Sequence, residues 1–217
     1  MQVPKNITVD ESEQGSEEWQ QARLGKFTAS RAGDLMKKQR NGQPYATRKN
    51  YITELALERL TGRYKEITVS EAMQNGIDME RVASLAYQFH TGSQTEQTGF
   101  WHNEIYGASP DDVIVGQNGG VEYKNPMPAT HKETLETQTI PEYYYWQIVQ
   151  TLLVTDADFW DYVSHCADFP ENARLFIKRV TRKEAKEDIA ALAKELKLAD
   201  KEVKDQVKFI ANYKEKK

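Results

Sequence analysis

The sequence predicts an α/β or α+β fold, a central mixed β-sheet flanked by helices, and three observations point to it. Apolar residues recur at helical spacing through much of residues 16–90. Short runs rich in β-branched and aromatic residues follow in 100–124 and again in 159–180. Helical patterns return at 142–154 and from 181 onward. Helices that interrupt the strands must pack on the faces of a sheet, because each buries only one side.

The elements follow in order. Ser16 can cap a helix through Trp19 and Leu24, since its hydroxyl can accept a first-turn N–H, and Thr28 or Ser30 can cap a second piece within 16–38. Residues 40–44 (R-N-G-Q-P) read as a loop. Ile52, Leu55, Ala56 and Leu60 mark a helix over 49–60, and Thr61 with Gly62 suits its C-terminal cap. Residues 70–90 read as another helix, with Val82, Leu85, Ala86 and Phe89 expected on its buried face and Gly92 just past its end. Strands are expected at 100–106, 112–115 and 121–124. Asn118 and Gly119 between the last two form a hairpin turn signal, because both tolerate positive φ. A helix at 142–154 and strands at 159–165 and 175–180 come next. Thr181 to Glu184 has the capping-box pattern, opening a C-terminal helix over 181–215 with Ile189, Leu192, Leu196, Val203, Val207 and Ile210 on its apolar face. No internal repeat or low-complexity linker appears, so 1–217 reads as one domain, with an acidic N-terminal segment 1–15 and the C-terminal helix as additions.

Composition narrows the functional classes. With 39% hydrophobic residues a packed core is possible, and no apolar run reaches the length of a membrane span, so no membrane partner is expected. Residues 1–18 are polar and acidic with no apolar secretion signal, and Cys166 is the single cysteine. One cysteine excludes an intrachain disulfide and a cysteine-built metal site, which suits a reducing cytosol. The net charge of −4 is unevenly spread: residues 1–22 hold one lysine and five acids, whereas 23–65 hold eleven Lys and Arg against three acids. A DNA duplex needs a local basic surface rather than a basic average, and 23–65 can supply one; the plainer reading is a solvated helix face.

The chemistry concentrates at Asp111, Glu122 and Lys124. Glu122 and Lys124 are two apart on one strand, so their side chains share a face, and the hairpin can bring Asp111 beside Glu122. Converging carboxylates repel unless a cation lies between them, and oxygen ligands suit Mg²⁺ or Mn²⁺. A lysine at that point can orient water and stabilise charge on a phosphate in transition, as phosphodiester hydrolysis requires. The plain alternative is an exposed hairpin with an ion pair on one face. Asp followed at this distance by Glu-x-Lys, with a hairpin turn between, resembles the core motif of the PD-(D/E)XK nuclease superfamily.

Further segments occur in a fixed order: 19–30 (W-Q-Q-A-R-L-G-K-F-T-A-S), 76–80 (G-I-D-M-E), 107–111 (G-A-S-P-D), 122–126 (E-Y-K-N-P) and 147–155 (Q-I-V-Q-T-L-L-V-T). In this arrangement residues 15–180 resemble phage lambda exonuclease and its relatives, the alkaline-exonuclease-like viral recombinases. The resemblance implies a restriction-endonuclease-like core. It implies a Mg²⁺-dependent 5′→3′ exonuclease that degrades one strand of linear double-stranded DNA and leaves a 3′ single-stranded tail. Two Mg²⁺ ions per site are expected, with Mn²⁺ as a substitute. A single-strand annealing protein as partner in phage-type recombination, a homotrimeric ring and a bacterial or prophage-encoded host cytosol are expected too. An endonuclease on the same core is the alternative, and a non-catalytic DNA-binding module the third reading; the intact carboxylates and lysine weigh against the latter.

By matching position, the resemblance assigns Asp111, Glu122 and the backbone carbonyl of Tyr123 to the metal, and Lys124 to catalysis. Glu80 completes the site from a helix, and Gln147 faces it, with Gln150 as the competing choice. Arg23, Ser30 and Ser109 match a pocket for the terminal 5′-phosphate, an arrangement of arginine and hydroxyls that suits an anion. Arg40 matches a DNA-tracking arginine and Met73 an apolar residue that separates the end base pairs. Asp112 stands where the lambda enzyme has glycine, either crowding the site or pointing away, and Arg31 replaces an acid. Segment 125–141 departs in sequence and length. His90, His102, His131 and His165 show no metal-ligand spacing, and the aromatic residues Tyr143 to Trp146 suit helix packing.

Overall fold

The computed structural model describes residues 1–64 and 71–214, and for residues 71–77 the backbone only. Its strands divide between two mixed sheets. The first has four strands, β1 (Thr8–Asp10), β4 (Phe100–His102), β5 (Tyr106–Ala108) and β2 (Phe27–Thr28), in that spatial order. The second has five: β3 (Thr95–Gln97), β6 (Asp112–Ile114), β7 (Gly119–Lys124), β8 (Phe159–His165) and β9 (Leu175–Thr181). Only the β7·β8 pair is parallel within the second sheet, as is β2·β5 within the first. The described helices are α1 (Glu17–Arg23), α2 (Ala32–Met36), α3 (Ala46–Thr61), α4 (Glu71–Thr91), α5 (Pro128–Thr137), α6 (Glu142–Thr155) and α7 (Lys186–Ala211). None is long and apolar enough to cross a membrane.

The five-stranded sheet is covered on both faces. Trp160 and Tyr162 of β8 enter the main core with Ile148 and Leu152 of α6 and Leu192 and Leu196 of α7. On the opposite face Ala83 and Tyr87 of α4 pack against Ile114, Val121, Tyr123 and Val163. Buried on both faces, β8 still carries Asp161, whose carboxylate accepts from Tyr87 OH and Arg179 Nε. Close approach to β8 also explains two glycines of β7. A Cβ on Gly119 would lie 2.5 Å from the Phe159 ring, and one on Gly120 would lie 2.3 Å from Trp160.

Ser16 caps α1 by accepting the Trp19 N–H at 3.2 Å, and Gly62 ends α3 with φ of 65°. Elsewhere the structure corrects the sequence. Residues 100–106 are two strands, β4 and β5, folded back where Asn103 Oδ1 accepts the N–H groups of Ile105 and Tyr106. The β6–β7 turn comes earlier than expected, over residues 115–118, with positive φ at Gly116; Gly119 already belongs to β7. The α4 helix buries Ala83 and Tyr87 rather than the expected stripe, leaving Val82 43%, Leu85 57% and Phe89 94% exposed. Segment 125–141 contains α5, opened by Pro128 in its first turn, where the missing N–H costs no bond. The capping box forms in full, Thr181 and Glu184 each accepting the other's N–H, but it closes a turn ahead of α7, which begins at Lys186. Residues 212–214 lie past the helix, and 215–217 lie outside the described residues.

Candidate active site

The β6–β7 hairpin places the expected chemistry. Backbone alternation on β7 sends Glu122 and Lys124 toward α6 and sends Tyr123 toward α4. Glu122 is 1% exposed, and its Oε1 accepts from Lys124 Nζ and from Gln147 Nε2, both at 2.5 Å. Its Oε2 is buried and has no hydrogen-bond partner among the described residues. Asp111 precedes β6, and its Oδ2 accepts the backbone N–H of Tyr123 at 2.7 Å, the residue next to Glu122. Burial, and then the Glu122 charge, push the Asp111 carboxyl well above the usual carboxylate range. Glu80, from α4, is raised by burial and by the same Glu122 charge. Burial works against the charge of Lys124, but Glu122 and Asp111 outweigh it, and the lysine pKa is raised. The ammonium lies 5.4 Å from the centre of the Tyr144 ring.

This concentration of carboxylates with one orphaned oxygen fits a cation. An unpaired buried oxygen costs free energy unless something positive meets it. Among the described residues no group of three or more His, Cys, Asp or Glu side chains forms a ready cage. Asp111 and Glu122 are a donor set that would fit Mg²⁺, which takes one or two carboxylates and completes its shell with water and substrate phosphate.

Gln147 and Gln150 separate cleanly. Gln147 holds Glu122, whereas Gln150 donates to the carbonyls of Phe27 at 2.8 Å and Gly107 at 3.0 Å, tying β2 to β5. Asp112 points away from Glu122. Its Oδ2 accepts from Ser84 Oγ (2.9 Å), Thr95 Oγ1 (2.7 Å) and Tyr123 OH (2.8 Å), so it does not crowd the site.

Arg23 and Ser109 meet as the sequence suggests, Nη1 donating to Oγ at 2.9 Å. The guanidinium lies 4.0 Å from the Trp19 ring centre and 5.5 Å from that of Phe100. Burial lowers its pKa to about 10. Ser30 is exposed, its hydroxyl 3.5 Å from that of Thr28. A cleft of about 860 Å³ joins the two sites, lined by Trp19 and Ser109 at one part and by Glu80, Asp111 and Tyr123 at another. Arg40 sits in an exposed turn between the bridged residues Lys38 and Pro44. The side chain of Met73 lies outside the described residues.

Part of the basic segment is neutralised within the fold. Arg31 pairs with Asp34 and Glu54, Arg48 with Glu195 and Glu202, and Arg59 with Asp200. His131 is a core residue, hydrogen-bonded to Ser164 Oγ and the Ala173 carbonyl. Tyr144, Tyr145 and Trp146 pack against the main core. Two side chains at the site carry no assignment from sequence: Trp19 beneath Arg23, and Tyr144 beside Lys124. Trp19 was detectable, lying four residues before Arg23 and therefore on the same helix face. Tyr144 was not, because its partner sits on a strand twenty residues earlier.

A mixed sheet carries Asp111, Glu122 and Lys124, with Asp111 and Glu80 lining the cleft, and the likeness to known proteins makes the chain an enzyme of the exonuclease class acting on DNA. The YqaJ-like viral recombinase domain model matches residues 18–158, well over half of the chain, and the chain belongs to that family. The alkaline exonuclease LHK-Exo from Laribacter hongkongensis has a similar solved structure, with TM-score 0.80 and 33% identity, covering 90% of this chain and 96% of that one. Its complex with dAMP matches at TM-score 0.79 and 34% identity over the same shares. A phage related exonuclease from Haemophilus somnus 129PT shares the fold at TM-score 0.71 and 14% identity, covering 85% and 96%. No curated protein matches the chain.

Proposed function

We propose that this chain is a Mg²⁺-dependent 5′→3′ exonuclease that degrades one strand of linear duplex DNA and leaves a 3′ single-stranded tail for recombination by strand annealing. The observation that carries this reading is the short link between two sites. Ser109 holds Arg23, and Asp111, two residues on, stands beside the orphaned carboxylate. Two residues span at most about 7 Å of chain, so a phosphate anchored at Arg23 leaves the next one along the strand near Asp111 and Glu122. Recognition of a terminal phosphate beside the reacting one is what an exonuclease needs and an endonuclease does not.

In this reading Asp111, Glu122 and the Tyr123 carbonyl would hold the metal, two ions per site, with Glu80 completing the site from α4. The ion, Mg²⁺ or Mn²⁺, supplies charge stabilisation at the phosphate and a more acidic water. Lys124 orients the attacking water and stabilises charge on the reacting phosphate, and Gln147 fixes the Glu122 carboxylate. Arg23, Ser109 and Ser30 anchor the terminal 5′-phosphate, Arg40 tracks the backbone, and Met73 separates the end base pairs. The chain acts as one nuclease unit in the host cytosol, assembled as a homotrimer and handing the exposed tail to a single-strand annealing protein.

Digestion of linear duplex labelled at either 5′ end, with Mg²⁺, with Ca²⁺ and with chelator, tests the reading. Loss of label as mononucleotide from the 5′ end in Mg²⁺ alone is expected. Calcium should bind yet fail, because its looser shell positions the reactants poorly. Cleavage of covalently closed plasmid would instead establish an endonuclease, and full activity in chelator would remove the metal.

A further inference from the structure

Asp112 is the feature of this cleft that the catalytic assignment leaves unused. It is 6% exposed, and a carboxylate taken out of water must be compensated. The compensation comes from three hydroxyls, all converging on Oδ2, and each belongs to a different element: Ser84 on α4, Thr95 on β3 and Tyr123 on β7. Gln88 of α4 extends the network, donating to Ser84 Oγ at 3.2 Å and accepting the Thr95 N–H at 3.4 Å.

Two of the three ties have a counterpart in the active site. Ser84 lies four residues after Glu80, one helical turn away on the same face, so fixing Ser84 fixes the presentation of Glu80. Tyr123 is held at both ends: its N–H donates to Asp111 Oδ2 at 2.7 Å, and its hydroxyl donates to Asp112 Oδ2 at 2.8 Å. Asp111 and Asp112 are adjacent and turn opposite ways, so the pin at Asp112 sets the direction in which Asp111 points. Tyr123 also stands between Glu122 and Lys124 on β7. One buried carboxylate therefore locks the chain at Asp111 where it enters β6, the strand bearing Glu122 and Lys124, and the helix bearing Glu80 into a single frame.

We infer that Asp112 is a positioning residue: through its three hydroxyl partners it holds Asp111 and Glu80 in the geometry that binds the catalytic metal, without touching metal or DNA itself. The inference rests on the metal reading above. Partners that orient metal ligands typically change affinity by about 10–100-fold when removed.

The test is direct Mn²⁺ binding by electron paramagnetic resonance, without DNA, on the full chain. Asp112→Asn keeps the shape but removes the charge that three donors require, and about 10-fold weaker Mn²⁺ binding is expected. The double variant Ser84→Ala with Thr95→Val keeps the charge and removes two of the ties, and an intermediate weakening is expected. Both should bind a 5′-phosphorylated duplex end as the parent does in chelator, because the Arg23 pocket is untouched. A double variant that binds Mn²⁺ as tightly as the parent overturns the inference even if Asp112→Asn fails to fold. A parent that binds no Mn²⁺ overturns the metal reading and this inference together, a result distinct from the first.

Discussion

The two oxygens of Glu122 have different fates, and that difference is the basis of the first prediction. Oε1 is held by Lys124 and Gln147, while Oε2 is buried without a partner. A glutamine there would keep the volume but put an amide where the proposed cation would bind. Glu122→Gln and Lys124→Ala should each lower cleavage by about 10²-fold or more, since each removes a group to which the proposed mechanism gives a role at the reacting phosphate. Binding to duplex ends should persist, because the residues proposed to anchor the end, Arg23 and Ser109, are left intact. Near-parental single-turnover rates in either variant would reject the assignment. Arg23 makes a separate prediction. Its guanidinium is desolvated, stacked on Trp19 and bonded to Ser109, so its charge is presented in a fixed direction. Linear duplex with a 5′-phosphate should be digested faster than the 5′-hydroxyl form, and Arg23→Ala should shrink that ratio. An unchanged ratio would place the pocket elsewhere.

Between elements, one tie of α3 to α7 runs through Asp200, which accepts from Arg59 Nη1 at 2.7 Å and from Lys204 Nζ at 2.6 Å. Burial raises the pKa of this carboxyl, but the bonds from Lys204 and Arg59 outweigh it, and the net shift is downward from 3.8. A lowered acid contributes stability that is present above its unfolded value and is lost as pH falls through the folded one. Asp200→Asn should therefore cost about 1–3 kcal/mol near neutral pH, seen as a lower Tm, and the gap to the parent should close in acid. A gap constant from about pH 6 to about pH 3 would show that the pair contributes no ionic stability. How far the elements are legible in the sequence depends on whether their partners are local. The hairpin carrying Asp111, Glu122 and Lys124 is legible because alternation and spacing are local rules. So is the capping box, whose members are three residues apart. The buried face of α4 is not: the strongest apolar stripe is exposed, and Tyr87 is buried because its hydroxyl finds Asp161, held in turn by Arg179. Those partners lie more than seventy residues away in sequence. The choice between Gln147 and Gln150 depends likewise on β2 and β5, whose carbonyls only the folded chain brings to Gln150.

At the scale of the whole molecule, the problem is how an enzyme stays on DNA while breaking every contact as it advances. The basic segment 23–65 does less than its composition suggests, since Arg31, Arg48 and Arg59 are engaged in internal ion pairs. Among the described residues of that stretch, Lys38, Arg40, Lys49 and Arg63 are exposed cations. A few surface lysines and arginines give an attraction that salt weakens steeply, which is a poor way to hold a substrate through many cycles. A closed ring removes the difficulty, because the DNA end must then leave the channel before the enzyme dissociates. Head-to-tail interfaces that close on themselves make such rings. We therefore predict a cyclic trimer, with a mass of about 75 kDa from three chains of 25.0 kDa. Lys38, Arg40 and Lys49 would line its channel, so that the field draws DNA inward. Light scattering at micromolar concentration measures the mass, and a challenge with excess unlabelled DNA measures how far one binding event proceeds. A ring predicts long tracts that resist the challenge across a range of salt. Long tracts from a monomer of 25.0 kDa would instead show that a single chain retains its substrate without encircling it.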